Sequence, residues 1–174
     1  MEYRKLAHRE IEHFRDLDRR EVVEQIYYHR RGQLVLEQEY HDVPPWSTGQ
    51  QDAFIGHIRQ LHEDGGTVIG AWDASVLVGM ITLGRRLMGD RQDLLNVNGL
   101  WVSREYRRRG VASTLMALLT SEATSRGAKG LYVSATPSKN TVEFYMRQGF
   151  ELAETVDPQL FELEPEDIHM VTRF

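Results

Sequence analysis

The chain has 174 residues and a formal net charge of −5, and 41% of its side chains are hydrophobic against 27% charged. This composition is typical of a globular domain with a hydrophobic core, and the acidic charge argues against a general nucleic-acid-binding protein. The absence of cysteine excludes disulfides, thiolate catalysis and cysteine metal sites. No two of the seven histidines have the four-residue spacing of helical zinc motifs, so we expect no metal.

No segment has the pattern of a membrane span or a targeting signal. No apolar run approaches the roughly 20 residues that cross a bilayer. The N-terminal sequence MEYRKLAHRE lacks the apolar centre of a secretory signal peptide. We therefore expect no membrane partner and a cytoplasmic location.

The N-terminal part predicts a strand, a helix, a hairpin and a second helix. MEYRKL is a short strand, and Ile11, Phe14 and Leu17 recur at helical spacing in HREIEHFRDLD. Alternating apolar residues on both sides of Arg31-Gly32 predict a hairpin. After the prolines of HDVPPW, STGQQDAFIGHIRQLHEDGG predicts a helix that ends at its glycine pair.

The remaining sequence predicts a sheet interrupted by two helices. TVIGAWD, SVLVGMITLG and LLNVNGLWVS are strands, and an amphipathic helix runs from Gly110 to Gly127. GLYVSA, KNTVEFYMRQG, FELAET and DIHMVTRF then predict a strand, a short helix and two strands. This order predicts an α/β or α+β layered domain around a mixed sheet.

The segment YRRRGVAS, residues 106–113, has the features of an anion site. It joins a strand to the first turn of a helix, where backbone N–H groups lack partners and the helix dipole is positive. Gly110 and Ala112 are small enough for phosphate oxygens to approach the backbone, and three arginines add attraction. The alternative is an ordinary solvated turn. Neither a G-x-G-x-x-G fingerprint nor a P-loop is present.

Two motifs resemble the GNAT superfamily of N-acetyltransferases. Arg107–Ala112 matches the acyl-CoA signature [Q/R]-x-x-G-x-[G/A]. Phe144–Phe150 matches F-Y-x-x-x-G-F and follows Asn140, as is common in that superfamily. Both motifs occur in the right order on the right predicted elements. The resemblance covers residues 67–174 well and the first 66 only loosely.

The resemblance implies a fold and a cofactor. The expected fold is a mixed, mostly antiparallel sheet with a splayed central parallel pair, flanked by helices, in one domain over residues 1–174. Residues 1–66 would form an acceptor-side region with the hairpin, and residues 67–174 the acetyl-CoA-binding core. The residues that would hold acetyl-CoA are Leu100, Trp101, Val102, Arg107, Arg108, Arg109, Gly110, Val111, Ala112, Ser113, Asn140 and Tyr145.

The resemblance also implies catalytic roles. Tyr145 matches the general acid, and a phenol with a pKa of about 10 can share its proton with a departing thiolate of pKa about 8.5. The alternative for Tyr145 is a core aromatic. Some relatives have a glutamate base where this chain has Asn96, which cannot act as a base but could orient a water. Glu39 or His41 could then be the base.

Two acidic segments are candidates for the acceptor side. VLEQEYHDVPPW, which contains Glu39 and His41, joins acids and aromatics in a way that suits a protonated amine. A solvated edge strand is the alternative. Residues 151–169 contain no Lys or Arg, and the apolar residues among them indicate either a solvated connection or a packed surface, such as that of a homodimer.

The sequence thus predicts an acetyl-CoA-dependent N-acetyltransferase. We expect direct attack in a ternary complex, because no cysteine is available to carry the acetyl group. The acceptor would be a small-molecule or peptide amine, with polyamines, aminoglycosides, amino acids and protein amines all open. The alternative is a non-catalytic acyl-CoA-binding or regulatory domain on the same fold, and a nucleic-acid partner is disfavoured by the net charge.

Overall fold

Two β-sheets and their covering helices form the structure, a computed structural model that describes residues 1–174. The strands are β1 (Glu2–Lys5), β2 (Glu21–Arg30), β3 (Gln33–Val43), β4 (Thr67–Asp73), β5 (Val76–Met88), β6 (Leu94–Val102), β7 (Gly130–Ala135), β8 (Glu151–Leu152) and β9 (Ile168–Arg173). The α-helices are α1 (Thr48–Glu63), α2 (Val111–Ser125), α3 (Lys139–Arg147) and α4 (Pro158–Leu163). Two 3-10 helices span His8–Asp16 and Arg104–Tyr106.

The large sheet has the strand order β1-β4-β5-β6-β7-β9-β8, and only the β6–β7 pair is parallel. This confirms the predicted mixed, mostly antiparallel sheet. Strands β2 and β3 form a separate hairpin around Arg31 and Gly32. Both turn residues have positive φ angles, 52° and 79°, as tight two-residue hairpin turns require, so the hairpin prediction is also confirmed.

Apolar side chains alternate between the two faces of the sheet, and each face has its own core. On one face, Leu95 and Val97 of β6 pack with Leu115 and Leu119 of α2. On the other face, the first 3-10 helix and α1 cover the sheet around residues such as Phe14. Strand β6, the sheet's central strand, is therefore packed on both sides, which fixes the position of its C-terminal end.

The parallel strands β6 and β7 separate before they end. Their pairing runs from Leu94 with Gly130 to Val97 with Val133, and then stops. Strand β6 nevertheless continues to Val102 and β7 to Ala135. The result is a gap between the two C-terminal halves, as the predicted splayed pair requires.

Three local predictions need correction. Residues 8–16 form a 3-10 helix, and the three-residue spacing of Ile11, Phe14 and Leu17 fits its three-residue turn. The strand predicted for FELAET is only Glu151–Leu152. The following connection contains a helix, α4, in which Pro158 occupies the first turn and the Asp157 carboxylate accepts from two backbone N–H groups at 3.0 Å.

None of the helices combines the length and apolar character needed to cross a membrane.

Candidate active site

A cavity with an excess of positive charge borders the β6–β7 gap, and we call it the basic cavity. The base of the hairpin, the end of β6, the 104–113 segment and α3 enclose it. Seven arginines line it against three carboxylates. Its arginines are Arg19, Arg20, Arg104, Arg107, Arg108, Arg109 and Arg147. Residues 107–113, which the sequence predicts to form an anion site, thus line one continuous cavity.

The first turn of α2 forms an open cradle of backbone N–H groups in this cavity. Gly110 precedes the helix with a φ of 82°, and no side chain caps the first turn. A Cβ atom built on Gly110 would have no neighbour within 4 Å, so the approach to the backbone is free. Arg108 also has a positive φ, 60°, which is uncommon outside glycine. Positive φ angles thus alternate with a negative one along Arg108, Arg109 and Gly110. Such alternation turns successive N–H groups toward one point and favours anions there.

The three arginines have different surroundings. The guanidinium of Arg107 donates to the main-chain carbonyls of Val102 and Arg19, both at 2.9 Å, and lies 3.4 Å from Glu21. It therefore ties the segment before β2 to the end of β6. Arg108 is exposed, and Arg109 lies over the ring of Tyr106. Arg108 and Arg109 are free to attract an anion, whereas Arg107 is held by contacts within the fold.

Main-chain groups of β6 face the gap. Ser103 donates its N–H to Val78 of β5, so the N–H and C=O groups of Val102 and Leu100 point the other way. The Val102 carbonyl already accepts from Arg107, which leaves Leu100 as the freer of the two. Asn140, at the start of α3, lies across the cavity and donates to Glu21 at 3.2 Å. Trp101 points to the opposite face, where it packs edge-on against Phe14 and Phe54.

A second cavity adjoins the basic cavity at the gap, and we call it the acidic cavity. It is enclosed by α1, the ends of β5, β6 and β7, and the 157–167 segment. Four carboxylates line it against two arginines; they are Asp64, Asp157, Glu164 and Asp167, against Arg85 and Arg86. The two cavities therefore have opposite electrostatic character.

Tyr145 of α3 lines both cavities. Its ring is 4% exposed and is held edge-on by Phe144 and Phe150, with ring centroids 5.3 and 5.2 Å away. Gly149 ends α3 with a φ of 85°, which lets Phe150 return beneath Tyr145 and donate to its carbonyl at 3.0 Å. Burial, and then the charge of Asp167, raises the pKa of the Tyr145 phenol. The hydroxyl is therefore protonated at neutral pH.

Asn96 lines the acidic cavity, and its Oδ1 is buried without a hydrogen-bond partner in the protein. Glu39 and His41 line neither cavity. They lie on β3, where Glu39 accepts from Tyr28 and from His41, the latter at 2.7 Å. Those hydrogen bonds lower the pKa of Glu39, so its carboxylate is a weak base. The structure thus places Asn96 in the same cavity as Tyr145 and leaves Glu39 and His41 outside it.

A family comparison agrees with this geometry. The model of the acetyltransferase (GNAT) family matches residues 23–150. The chain belongs to that family. The predicted resemblance is confirmed, and the protein is an acyltransferase enzyme. No curated protein matches this GNAT chain.

Solved structures share the GNAT fold at low sequence identity. Nourseothricin acetyltransferase is 20% identical with a TM-score of 0.71, over 99% of this chain and 97% of that one. A streptothricin acetyltransferase, described as putative, from Bacillus anthracis str. Ames in complex with acetyl coenzyme A is 16% identical with a TM-score of 0.68, over 99% and 97%. Aminoglycoside 6'-acetyltransferase type Ii is 16% identical with a TM-score of 0.66, over 99% and 97%.

Sequence reasoning missed part of this GNAT site. Asp167 precedes β9 and accepts from the Ser134 hydroxyl of β7 at 3.0 Å inside the acidic cavity. Thr82 of β5 is 1% exposed there, and its hydroxyl has no partner in the protein. Helix α4 forms part of the cavity rim. Its Asp-Pro start was a recognisable helix signal, but nothing in the sequence indicated that Asp167 would line the same cavity as Tyr145.

Proposed function

We propose that this protein transfers the acetyl group of acetyl-CoA to the amine of a small cationic acceptor, by direct attack in a ternary complex. One observation carries the proposal: a basic and an acidic cavity meet at the same buried tyrosine. An anionic donor and a cationic acceptor can then approach Tyr145 through different cavities. Direct attack needs both substrates bound at once, and the two separate cavities permit it.

The basic cavity fits a donor with a pyrophosphate and an extended arm. Backbone N–H groups from Arg108 to Ser113 would hold the phosphates, because the α2 cradle is uncapped and open at Gly110. Leu100 would hydrogen-bond the pantetheine arm in the gap, as an added strand would. Val102 would contribute its N–H, since its carbonyl is engaged by Arg107. Asn140 would contact the arm from α3. Bound acetyl-CoA supplies the activated acetyl group.

Tyr145 would act as the general acid. Its pKa is raised by burial, so it holds its proton until charge develops on a nearby atom. A thiolate leaving group is such a charge, and a phenol at hydrogen-bond distance stabilises it by sharing the proton. The rings of Phe144 and Phe150 fix the phenol in place, which keeps this geometry prepared before substrates arrive.

The acceptor class follows from the acidic cavity. Its four carboxylates favour a protonated amine, and the rings of Phe54 and Trp101 add apolar surface. Structural neighbours include acetyltransferases named for nourseothricin, streptothricin and aminoglycosides. Their names support a small polycationic acceptor as the first class to test. Asn96 would orient a water or a hydroxyl of such an acceptor through its unpartnered amide oxygen.

The test is donor binding followed by transfer. Acetyl-CoA is expected to raise the melting temperature, and thiol release is then followed against nourseothricin, neamine, spermidine and lysine methyl ester. Acceleration by at least one amine, with the acetylated amine found by mass spectrometry, supports the proposal. Binding of acetyl-CoA without transfer to any cationic amine would overturn the acceptor class. No thermal shift at millimolar acetyl-CoA would overturn the donor site.

A further inference from the structure

Asp167 differs from the other carboxylates of the acidic cavity in how it is placed. The Asp64 carboxylate accepts from Gln60, and the Asp157 carboxylate caps α4. Glu164 is exposed on the rim. Asp167 is partly buried at the cavity wall, accepts only the Ser134 hydroxyl as a side-chain donor, and forms no ion pair. Its negative charge is therefore uncompensated and faces the cavity.

Asp167 also shares its cavity with the proposed general acid. It lines the same cavity as Tyr145, and its charge contributes to the raised pKa of the Tyr145 phenol. Strands β7 and β9 fix this arrangement, because Ser134 pairs with His169 in the sheet and Asp167 immediately precedes β9. A base at this wall would face an amine bound in the acidic cavity, while Tyr145, which also lines the basic cavity, would face the donor.

We propose that Asp167 is the general base of the acetyl transfer, with Ser134 as the residue that positions it. This inference rests on the proposed function. The reacting ammonium first loses one proton to solvent and becomes a neutral amine. As its nitrogen then forms a bond to the acetyl carbon and the carbon–sulfur bond breaks, a second nitrogen proton passes to the Asp167 carboxylate. The Tyr145 phenol gives its proton to the sulfur. Transfer of the proton from Asp167 back to the phenolate through solvent restores both groups, so protons and charge balance.

The surroundings of Asp167 set its pH dependence. Burial raises the pKa of the Asp167 carboxyl, Glu164 raises it further, and the Ser134 hydrogen bond opposes the rise. The other titratable or charged groups lining the cavity are His57, Asp64, Arg85, Arg86, Tyr145 and Asp157. A general base must be deprotonated to act. Activity is therefore expected to fall as the pH drops through the pKa of the Asp167 carboxyl, which lies above the pKa of an ordinary aspartate.

The experiment compares Asp167→Asn with wild type, on whichever of the four amines above is acetylated fastest. We expect kcat to fall about 100-fold or more. The affinity for acetyl-CoA should stay within about threefold, a difference of less than 1 kcal/mol. The acidic limb of the kcat/KM profile should disappear. The melting temperature should not fall, since Asn can still accept the Ser134 hydroxyl and removes a poorly solvated charge.

Two further variants complete the test. Ser134→Ala should move the acidic limb to higher pH without lowering the plateau rate more than about threefold, within what one lost hydrogen bond costs. Glu166→Gln, an exposed carboxylate one residue away and outside the cavity, should change neither rate nor profile. If Asp167→Asn fails to fold, the Ser134→Ala shift decides alone.

The outcomes are separable from those of the proposed function. A wild type that acetylates an amine, with an Asp167→Asn variant that keeps more than a third of kcat or retains the acidic limb, overturns only the base assignment. An unshifted limb in Ser134→Ala does the same. A wild type that binds acetyl-CoA but acetylates none of the amines overturns the proposed function, and the base assignment with it.

Discussion

The basic and acidic cavities adjoin at one gap but are built in different ways. The anion cradle of the basic cavity comes from one contiguous segment, residues 104–113, and consists largely of backbone. The acidic cavity gathers side chains from α1, β5, β6, β7 and the 157–167 segment. A backbone cradle suits a ligand shared by many enzymes, whereas a scattered set of side chains can change with the acceptor. Under the proposed function, this division would separate donor recognition from acceptor specificity.

The largest expected effect breaks the backbone cradle. Gly110→Glu places a carboxylate where the phosphates would bind and should weaken acetyl-CoA binding by about 100-fold or more, since like-charge contacts cost several kcal/mol. Isothermal titration calorimetry measures it. Gly127→Glu is the matched control, because Gly127 ends α2 with the same φ of 82° and the same free space. Equal loss of binding in both variants would contradict the cradle.

The next effect tests the junction of the cavities. Tyr145→Phe keeps the ring but removes the acid, so kcat should fall about 100-fold while acetyl-CoA affinity is retained. Tyr132→Phe is the control, because Tyr132 is also buried but lines neither cavity and hydrogen-bonds His169 and the Asp157 N–H. That control should lose about 1–2 kcal/mol of stability and keep its rate. An unchanged rate in Tyr145→Phe would show that the phenol is not the acid.

A smaller effect separates the arginines of the basic cavity. Arg108→Ala removes an exposed charge and should weaken acetyl-CoA binding about fivefold at low salt, and less as salt is added. Arg107→Ala should instead lower the free energy of unfolding by about 1–3 kcal/mol, because its contacts to Val102 and Arg19 are lost. Binding titrations at two salt concentrations and urea unfolding measure the two variants. The reverse pattern would mean that Arg107 is the ligand contact.

The smallest effect tests the rim of the acidic cavity. Asp64→Asn removes an exposed carboxylate and should raise the KM of a polycationic acceptor about two- to threefold, with kcat unchanged. Glu63→Gln is the control, since Glu63 pairs with His8 outside the cavity. A comparable rise in both variants would mean that the overall charge of the protein, and not the cavity, attracts the acceptor.

Much of the proposed donor side was predictable from local sequence. Arg107–Ala112 and Phe144–Phe150 lie where the motifs predicted, because a strand-to-helix turn and a glycine-ended helix are local structures. The different role of Arg107 was not predictable, since its partners Arg19 and Glu21 are more than 80 residues away in the chain. The acceptor-side expectation for Glu39 and His41 remains a hypothesis, although the structure places them outside both cavities.

The sequence by itself determined the layered mixed sheet, the hairpin at Arg31-Gly32 and the α2 cradle, because each depends on side-chain periodicity or on glycine at one position. Only the tertiary structure decided which carboxylates share a cavity with Tyr145. The pairing of β7 with β9 brings Asp167 to Ser134, 33 residues earlier in the chain, and burial there changes its acidity. Proximity and desolvation of this kind arise from packing, so no local pattern of residues encodes them.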